Sequence, residues 1–279
     1  MERPIKILEI TSEALTSFQN IIYEYYHAQG RNLPWRETDN PYYILVSEMM
    51  LQQTQVARVM GKYPLFIKTF PDIFSLSRAS VKAVVGVWQG LGYNRRAISL
   101  QKAAHIIVKD FKGRIPSDVE ILRTLPGIGE ATASAICAFA YNKPVVFIET
   151  NIRSVFTHFF FREQDKVSDR EIAPLIEKTL DIDYPRMWYY ALMDYGVMLK
   201  KEHKNINKKS THYRKQPPFH GSNRQIRGMI LRTLIASPLL SEDELADILK
   251  KDQTKIKNTI TQLREEGFVK EERGKYSIP

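Results

Sequence analysis

The chain has 279 residues, 43% of them hydrophobic, which is enough to bury a substantial core in two or three compact units. Its 41 Lys and Arg against 31 Asp and Glu leave a formal net charge of +10, which favours a polyanionic partner, although a solvated basic surface gives the same sum. The apolar runs at 135–141 and 145–148 are far too short to span a bilayer, residues 1–10 carry no secretory pattern, and the lone Cys137 excludes an internal disulfide or a cysteine-rich metal site, so a cytoplasmic protein with no membrane partner is expected.

Apolar residues recurring at three- and four-residue steps predict helices over 8–26, 42–59, 63–69, 81–86, 95–109, 119–125, 130–141, 151–161, 169–180 and 184–199. Pro34, Pro41, Pro71, Gly90, Gly92, Pro116, Pro144 and Pro185 punctuate them, and Ser168 or Asp169 and Asp183 are the expected N-caps. Residues 1–200 therefore read as an all-helical domain. From 200 to 228 the composition turns basic, with nine Lys or Arg against one Glu, and residues 201–223 are expected to form an extended linker that buries too little apolar area to offset ordering. His203, His212 and His220 lie within it at spacings that suit no metal. Beyond it come a helix over 225–236, a capping box at Ser241 with Glu244 opening a second helix, a third helix over 253–265 ending at Gly267, and a hairpin over 268–278 turning at Arg273 and Gly274. Three helices and a hairpin over 224–279 predict a winged helix. Its third helix offers Lys255, Lys257, Asn258, Thr261, Gln262 and Arg264 to a DNA groove, while Glu265, Glu266, Glu271 and Glu272 suit a protein partner, so both readings stay open.

The most informative stretch is Leu125-Pro126-Gly127-Ile128-Gly129, between two helical runs. Pro126 fixes one φ, the glycines permit positive φ and close approach, and the next helix adds its unpaired N–H groups, so backbone donors can converge on one phosphate. A tight helix connection with packing glycines is the alternative.

Several motifs stand in one order: Leu33-Pro34-Trp35-Arg36, Pro41-Tyr42, Ser47-Glu48-Met49-Met50-Leu51-Gln52-Gln53-Thr54-Gln55-Val56, Gly90-Leu91-Gly92-Tyr93, Leu125 to Gly129, and Met193-Asp194-Tyr195-Gly196. Over about residues 15 to 200 the chain thereby resembles the A/G-specific adenine glycosylases of the helix-hairpin-helix base-excision superfamily, and its Ser-Glu-x-Met-Leu-Gln-Gln-Thr run is similar to the adenine branch rather than to endonuclease III. A Phe219-x-Gly221-Ser222-x-Arg224-x-x-Arg227-Gly228 run is similar to one that follows the catalytic domain in some members.

The resemblance implies a helix-hairpin-helix glycosylase fold and a monomer acting on double-stranded DNA with a mispaired or damaged base. It makes Glu48 the general acid that protonates the departing purine, in an apolar helical stretch where burial raises a carboxyl pKa. Glu149 is the carboxylate beside the oxocarbenium-like sugar, and Asn151 the asparagine near both. The family has Asp followed by Gly-Asn where this chain has Glu149-Thr150-Asn151, and a carboxylate displaced by about one C–C bond can cost on the order of a hundredfold in rate. A helix-opening acid is the alternative for Glu149. Gln52 and Tyr93 match residues that fill the space of a flipped base. With Leu125, Pro126, Gly127, Ile128, Gly129 and Thr132 they form the expected DNA-binding set. Ala131 stands where endonuclease III-like members carry an attacking lysine, which implies a monofunctional enzyme in which water attacks. The four cysteines that hold an iron-sulfur cluster in most relatives are absent, so no cofactor is expected, and the winged helix is expected to stand in place of the Nudix-like domain that reads 8-oxoguanine in relatives. A glycosylase for thymine or uracil opposite guanine, and a catalytically weak DNA-binding protein, remain as alternatives.

Overall fold

A computed structural model describes residues 11–203, 206–211, 213 and 218–279. Their helices are α1 Ser12–Gln29, α2 Pro41–Leu51, α3 Val56–Met60, α4 Tyr63–Thr69, α5 Ile73–Arg78, α6 Val81–Trp88, α7 Arg95–Phe111, α8 Val119–Arg123, α9 Glu130–Tyr141, α10 Thr150–Phe160, α11 Asp169–Thr179, α12 Pro185–Glu202, α13 Asn223–Ala236, α14 Glu242–Leu249 and α15 Gln253–Glu265, followed by the strands β1 Lys270–Glu272 and β2 Lys275–Ser277. The chain divides into two compact units, one of Met1–Ile44, Ser117–Arg123 and Gly129–Lys215, the other of Leu45–Pro116, Thr124–Ile128 and Gln216–Pro279.

In the first unit α1 and α10 pack against α12, and Phe18 meets Phe156 and Trp188 edge to face at 5.6 and 5.8 Å between ring centroids. The Met193-Asp194-Tyr195-Gly196 segment lies in α12 and joins it to two neighbours. Asp194, 2% exposed, accepts from the Arg36 guanidinium through both oxygens at 2.8 Å and from the backbone N–H of Arg31 at 2.7 Å. Burial alone raises this carboxyl's pKa, but the bonds from Arg36 and Arg31 outweigh it and hold the carboxyl below the usual carboxylate range. Gly196 does the other half: a Cβ there would overlap the backbone carbonyl and Cβ of Asn151 at the start of α10.

The second unit holds α3 to α7 and the C-terminal segment, α13 to β2. Ile230, Leu234, Leu245, Ile256, Ile260, Leu263 and Phe268 form a buried cluster that also takes in Val85 of α6 and Ile98 of α7. Arg227 grips Glu266 through two bonds, at 3.0 and 2.5 Å, and Arg95 of α7 reaches the same carboxylate at 2.6 Å. β1 pairs antiparallel with β2, Lys270 opposite Ser277, and Leu240 adds a bridge to Tyr276.

Several predicted elements differ from the structure. Positions 8–10 of the first expected helix lie outside the described residues. The expected helix over 42–59 breaks after Leu51, where Gln53 takes φ 52°, and restarts at Val56. The periodicity missed α5, a short helix opened by an Asp72 and Ser75 capping box. Ser168 caps α11 as expected, but Asp183 does not cap α12, because Asp181 already accepts from the N–H groups of Asp183 and Tyr184. Within 201–223, α12 continues to Glu202 and Ile206–Lys209 form a 3-10 turn tied to Val167 by Val167 N–H to Lys209 C=O at 2.8 Å, so this part is hydrogen-bonded structure rather than extended linker. His203 lies 5.1 Å from His158, ring to ring, and His212 is outside the described residues.

Candidate active site

In the second unit, Glu48 is half-buried on the last turns of α2 between buried Ser47 and Met49. Four carbonyls at the end of any helix lack partners, and here a buried arginine supplies them. Arg96, 8% exposed, donates to the carbonyls of Met49 at 3.0 Å, Met50 at 2.8 Å and Gln52, to Thr54 Oγ1 at 2.9 Å, and to the Gly92 carbonyl at 3.0 Å. Burial lowers its pKa to about 10, so it stays charged at neutral pH. One guanidinium thus holds both the turn that carries Gln52 and the loop that carries Tyr93. The sequence signal for it was a lone basic residue on the buried stripe Ala97, Leu100, Ala104 and Ile107 of α7.

Gln52 donates through Nε2 to the Gly127 carbonyl at 3.0 Å, which joins it to the hairpin. Tyr93 occupies the left-handed region at φ 48°, following Gly92 at φ 72°, a backbone state that costs a tyrosine energy and marks a candidate functional position. Its hydroxyl accepts from Arg224 of α13 at 2.7 Å, and the Arg96 and Arg224 guanidinium carbons lie 5.5 and 5.6 Å from its ring centroid. Neither arginine was among the expected site residues.

The hairpin turn closes by Ile128 N–H to Leu125 C=O at 3.2 Å, with Leu125 and Ile128 buried and the glycines exposed. Gly127 has φ 80°, and a Cβ there would lie 2.6 Å from the Ser99 Cβ. Gly129 differs from expectation: its φ is −87°, with open space where a Cβ would stand. It is the N-cap of α9 and offers no side-chain cap, which leaves that helix's first N–H groups uncovered by a capping side chain. Ala131 is exposed and Thr132 half-buried on the first turn of α9.

Glu149 and Asn151 belong to the first unit. Glu149 is the N-cap of α10, its Oε1 accepting from the N–H groups of Asn151 at 2.6 Å and Ile152 at 2.9 Å and its Oε2 from Asn151 Nδ2 at 3.1 Å. The side chain therefore caps α10, and three donors fix the position of its carboxylate. Asn151 Oδ1 accepts from Lys200 Nζ of α12 at 2.6 Å, a lysine absent from the expected set. Burial raises the Glu149 pKa, and Lys200 with the three hydrogen bonds opposes it without cancelling it.

Residues 46–179, which contain both Glu48 and Glu149, match the family described as "HhH-GPD superfamily base excision DNA repair protein". A solved "thermostable thymine-DNA glycosylase" superposes with a TM-score of 0.61 at 22% identity, covering 74% of this chain and 99% of that one, a likeness of fold. The class follows for that segment: it carries the helical HhH-GPD fold of base-excision repair proteins. More particularly, the adenine DNA glycosylase of Buchnera aphidicola subsp. Baizongia pistaciae is 35% identical over 189 residues, 66% of this chain and 53% of that protein. That of Mycobacterium tuberculosis (strain CDC 1551 / Oshkosh) is 44% identical over 132 residues, 47% of this chain and 43% of that protein. The chain thus spans about half the length of these curated relatives.

Proposed function

We propose that the chain is a monofunctional DNA glycosylase that excises adenine mispaired with guanine or 8-oxoguanine in base excision repair. The observation that carries this reading is that the family-matched segment 46–179 contains Glu48, Ala131 and Glu149, within a chain similar to adenine DNA glycosylases. Glu48 gives its proton to a ring nitrogen of the flipped adenine as the C1′–N9 bond breaks and its electron pair leaves with the base. Glu149, held by three donors, supplies negative charge to the oxocarbenium-like sugar. Water then adds at C1′ and loses a proton, because Ala131 brings no amine to that place. Gln52 and Tyr93 fill the gap in the stack, and the hairpin with Thr132 grips the phosphates.

The enzyme is further proposed to act as a monomer without a cofactor. Its single thiol, Cys137, is buried in α9 and cannot supply the four thiolates of an iron-sulfur cluster. In this division residues 1–200 form the glycosylase domain, 201–223 the connection and 224–279 a winged helix, to which the order α13, α14, α15, β1, β2 lends support. The test is a panel of duplexes carrying A·8-oxoG, A·G, T·G and U·G, with alkali revealing abasic sites. Cleavage of the adenine strands alone is the expected result, with Glu48→Gln binding duplex but releasing no base. Release of thymine or uracil moves the substrate class, and no release from any duplex leaves a DNA-binding protein.

A further inference from the structure

Glu48, Glu149 and Asn151 account for the reaction but not for Lys200, a half-buried lysine where α12 passes the first turn of α10. Gly196, one helical turn earlier, lets the two helices approach so closely that a Cβ would strike Asn151, and the same approach delivers the Lys200 ammonium to 2.6 Å from Asn151 Oδ1. That bond settles the direction of the amide. With Oδ1 occupied by a pure donor, Nδ2 is the end that faces Glu149 and donates to it at 3.1 Å. We propose that Lys200 is a positioning residue for the carboxylate of Glu149: it aims the Asn151 amide and places a half-buried positive charge beside Glu149. The inference rests on Glu149 as the carboxylate at the sugar.

The charges around it make this arrangement specific. A half-buried ammonium is costly unless paired, and burial lowers the Lys200 pKa while Glu149 raises it. The other charges acting on Lys200 are Arg153 of α10 and Arg31, both repulsive, and each is already engaged, Arg153 by Asp169 at 2.6 Å and Arg31 by Asp194 at 2.5 Å. Among the described residues Glu149 is thus the unlike charge acting on Lys200, and Lys200 is the side-chain charge that opposes the desolvation of Glu149. Lys200 follows the Met-Asp-Tyr-Gly segment by one turn, so the segment's glycine and the lysine form one device.

Single-turnover adenine release from an A·G duplex, measured across pH, tests the proposal on the full chain. Glu149 must be ionised, so the rate falls as pH drops through its pKa. Lys200→Met removes the opposing charge, and the acid limb should move up by about one pH unit, with roughly tenfold slower release on its acid side. Lys200→Arg should keep the limb in place. If Lys200→Met fails to fold by circular dichroism, Lys200→Gln, neutral but still a donor to Asn151, carries the same expected shift. An unmoved limb in the neutral variant, alongside an inactive Glu149→Gln, overturns the proposal, whereas Glu149→Gln at full rate defeats the catalytic reading beneath it. A borohydride-trapped protein–DNA adduct in the wild type that vanishes in Lys200→Met would also overturn it, because the amine would then be attacking the sugar.

Discussion

The extra methylene of Glu149 is used by the loop. Its two oxygens meet three donors, from Asn151 and Ile152, at 2.6 to 3.1 Å, so the N-terminus of α10 is fitted to a long acid rather than tolerating one. Glu149→Asp should therefore lower single-turnover release by about tenfold to a hundredfold, because the carboxylate retreats by one bond from both its donors and the sugar. Glu149→Gln should fall further, a neutral amide being a poor partner for an oxocarbenium. An Asp variant faster than wild type would show that the loop suits a shorter acid. Thr150, which replaces the family's glycine, begins α10 and needs no positive φ, in keeping with a loop altered as a whole.

At the level of elements, the end of α2 depends on one side chain. Arg96→Met would strand the carbonyls of Met49, Met50 and Gln52, and each buried acceptor left unpaired costs on the order of 1–3 kcal/mol, so a loss of about 3 kcal/mol or more by denaturant titration is expected. The two hairpin glycines should respond differently. Gly127→Val forces a Cβ into Ser99 at positive φ and should unfold or distort the turn, whereas Gly129→Val fits the free protein and should weaken binding to every duplex alike, a contrast readable by comparing melting temperature with duplex affinity. Much of this layer was legible in the chain. Helical periodicity located α4, α9, α10 and α12 to within a few residues, and the hairpin was readable from its prolyl-glycyl turn. What periodicity does not encode is a polar group used inward. Arg96, Lys200 and Arg224 each look like solvated charge in one dimension, and their roles depend on which loop carbonyl, amide or ring arrives opposite them.

At the level of the whole chain, polar anchors set its sensitivity to acid. Asp194 has a folded pKa below the ordinary carboxylate value, so its contribution is present above the unfolded pKa, near 3.9, and is lost as pH falls through the folded value. Asp194→Asn should cost about 3–5 kcal/mol at neutral pH, since it leaves Arg36 buried beside a neutral amide. It should also flatten the fall in melting temperature expected of the wild type as pH drops below the unfolded pKa, near 3.9. A parallel slope in both proteins would assign the acid sensitivity to other carboxylates.

On the proposed function, with Tyr93 entering the base stack, the tyrosine loop also bears on how quickly the protein can search DNA. Tyr93 is already engaged by the Arg224 guanidinium, through its hydroxyl at 2.7 Å and its ring, and a residue that is to enter a base stack must first let go. Releasing those contacts costs roughly 1–3 kcal/mol, enough to end most encounters with ordinary duplex before insertion begins. The C-terminal segment would then act as a brake on premature probing. Arg224→Ala should lengthen the dwell time on undamaged DNA in single-molecule tracking by about thirtyfold at the middle of that range, trading coverage of the genome for more frequent interrogation of each site.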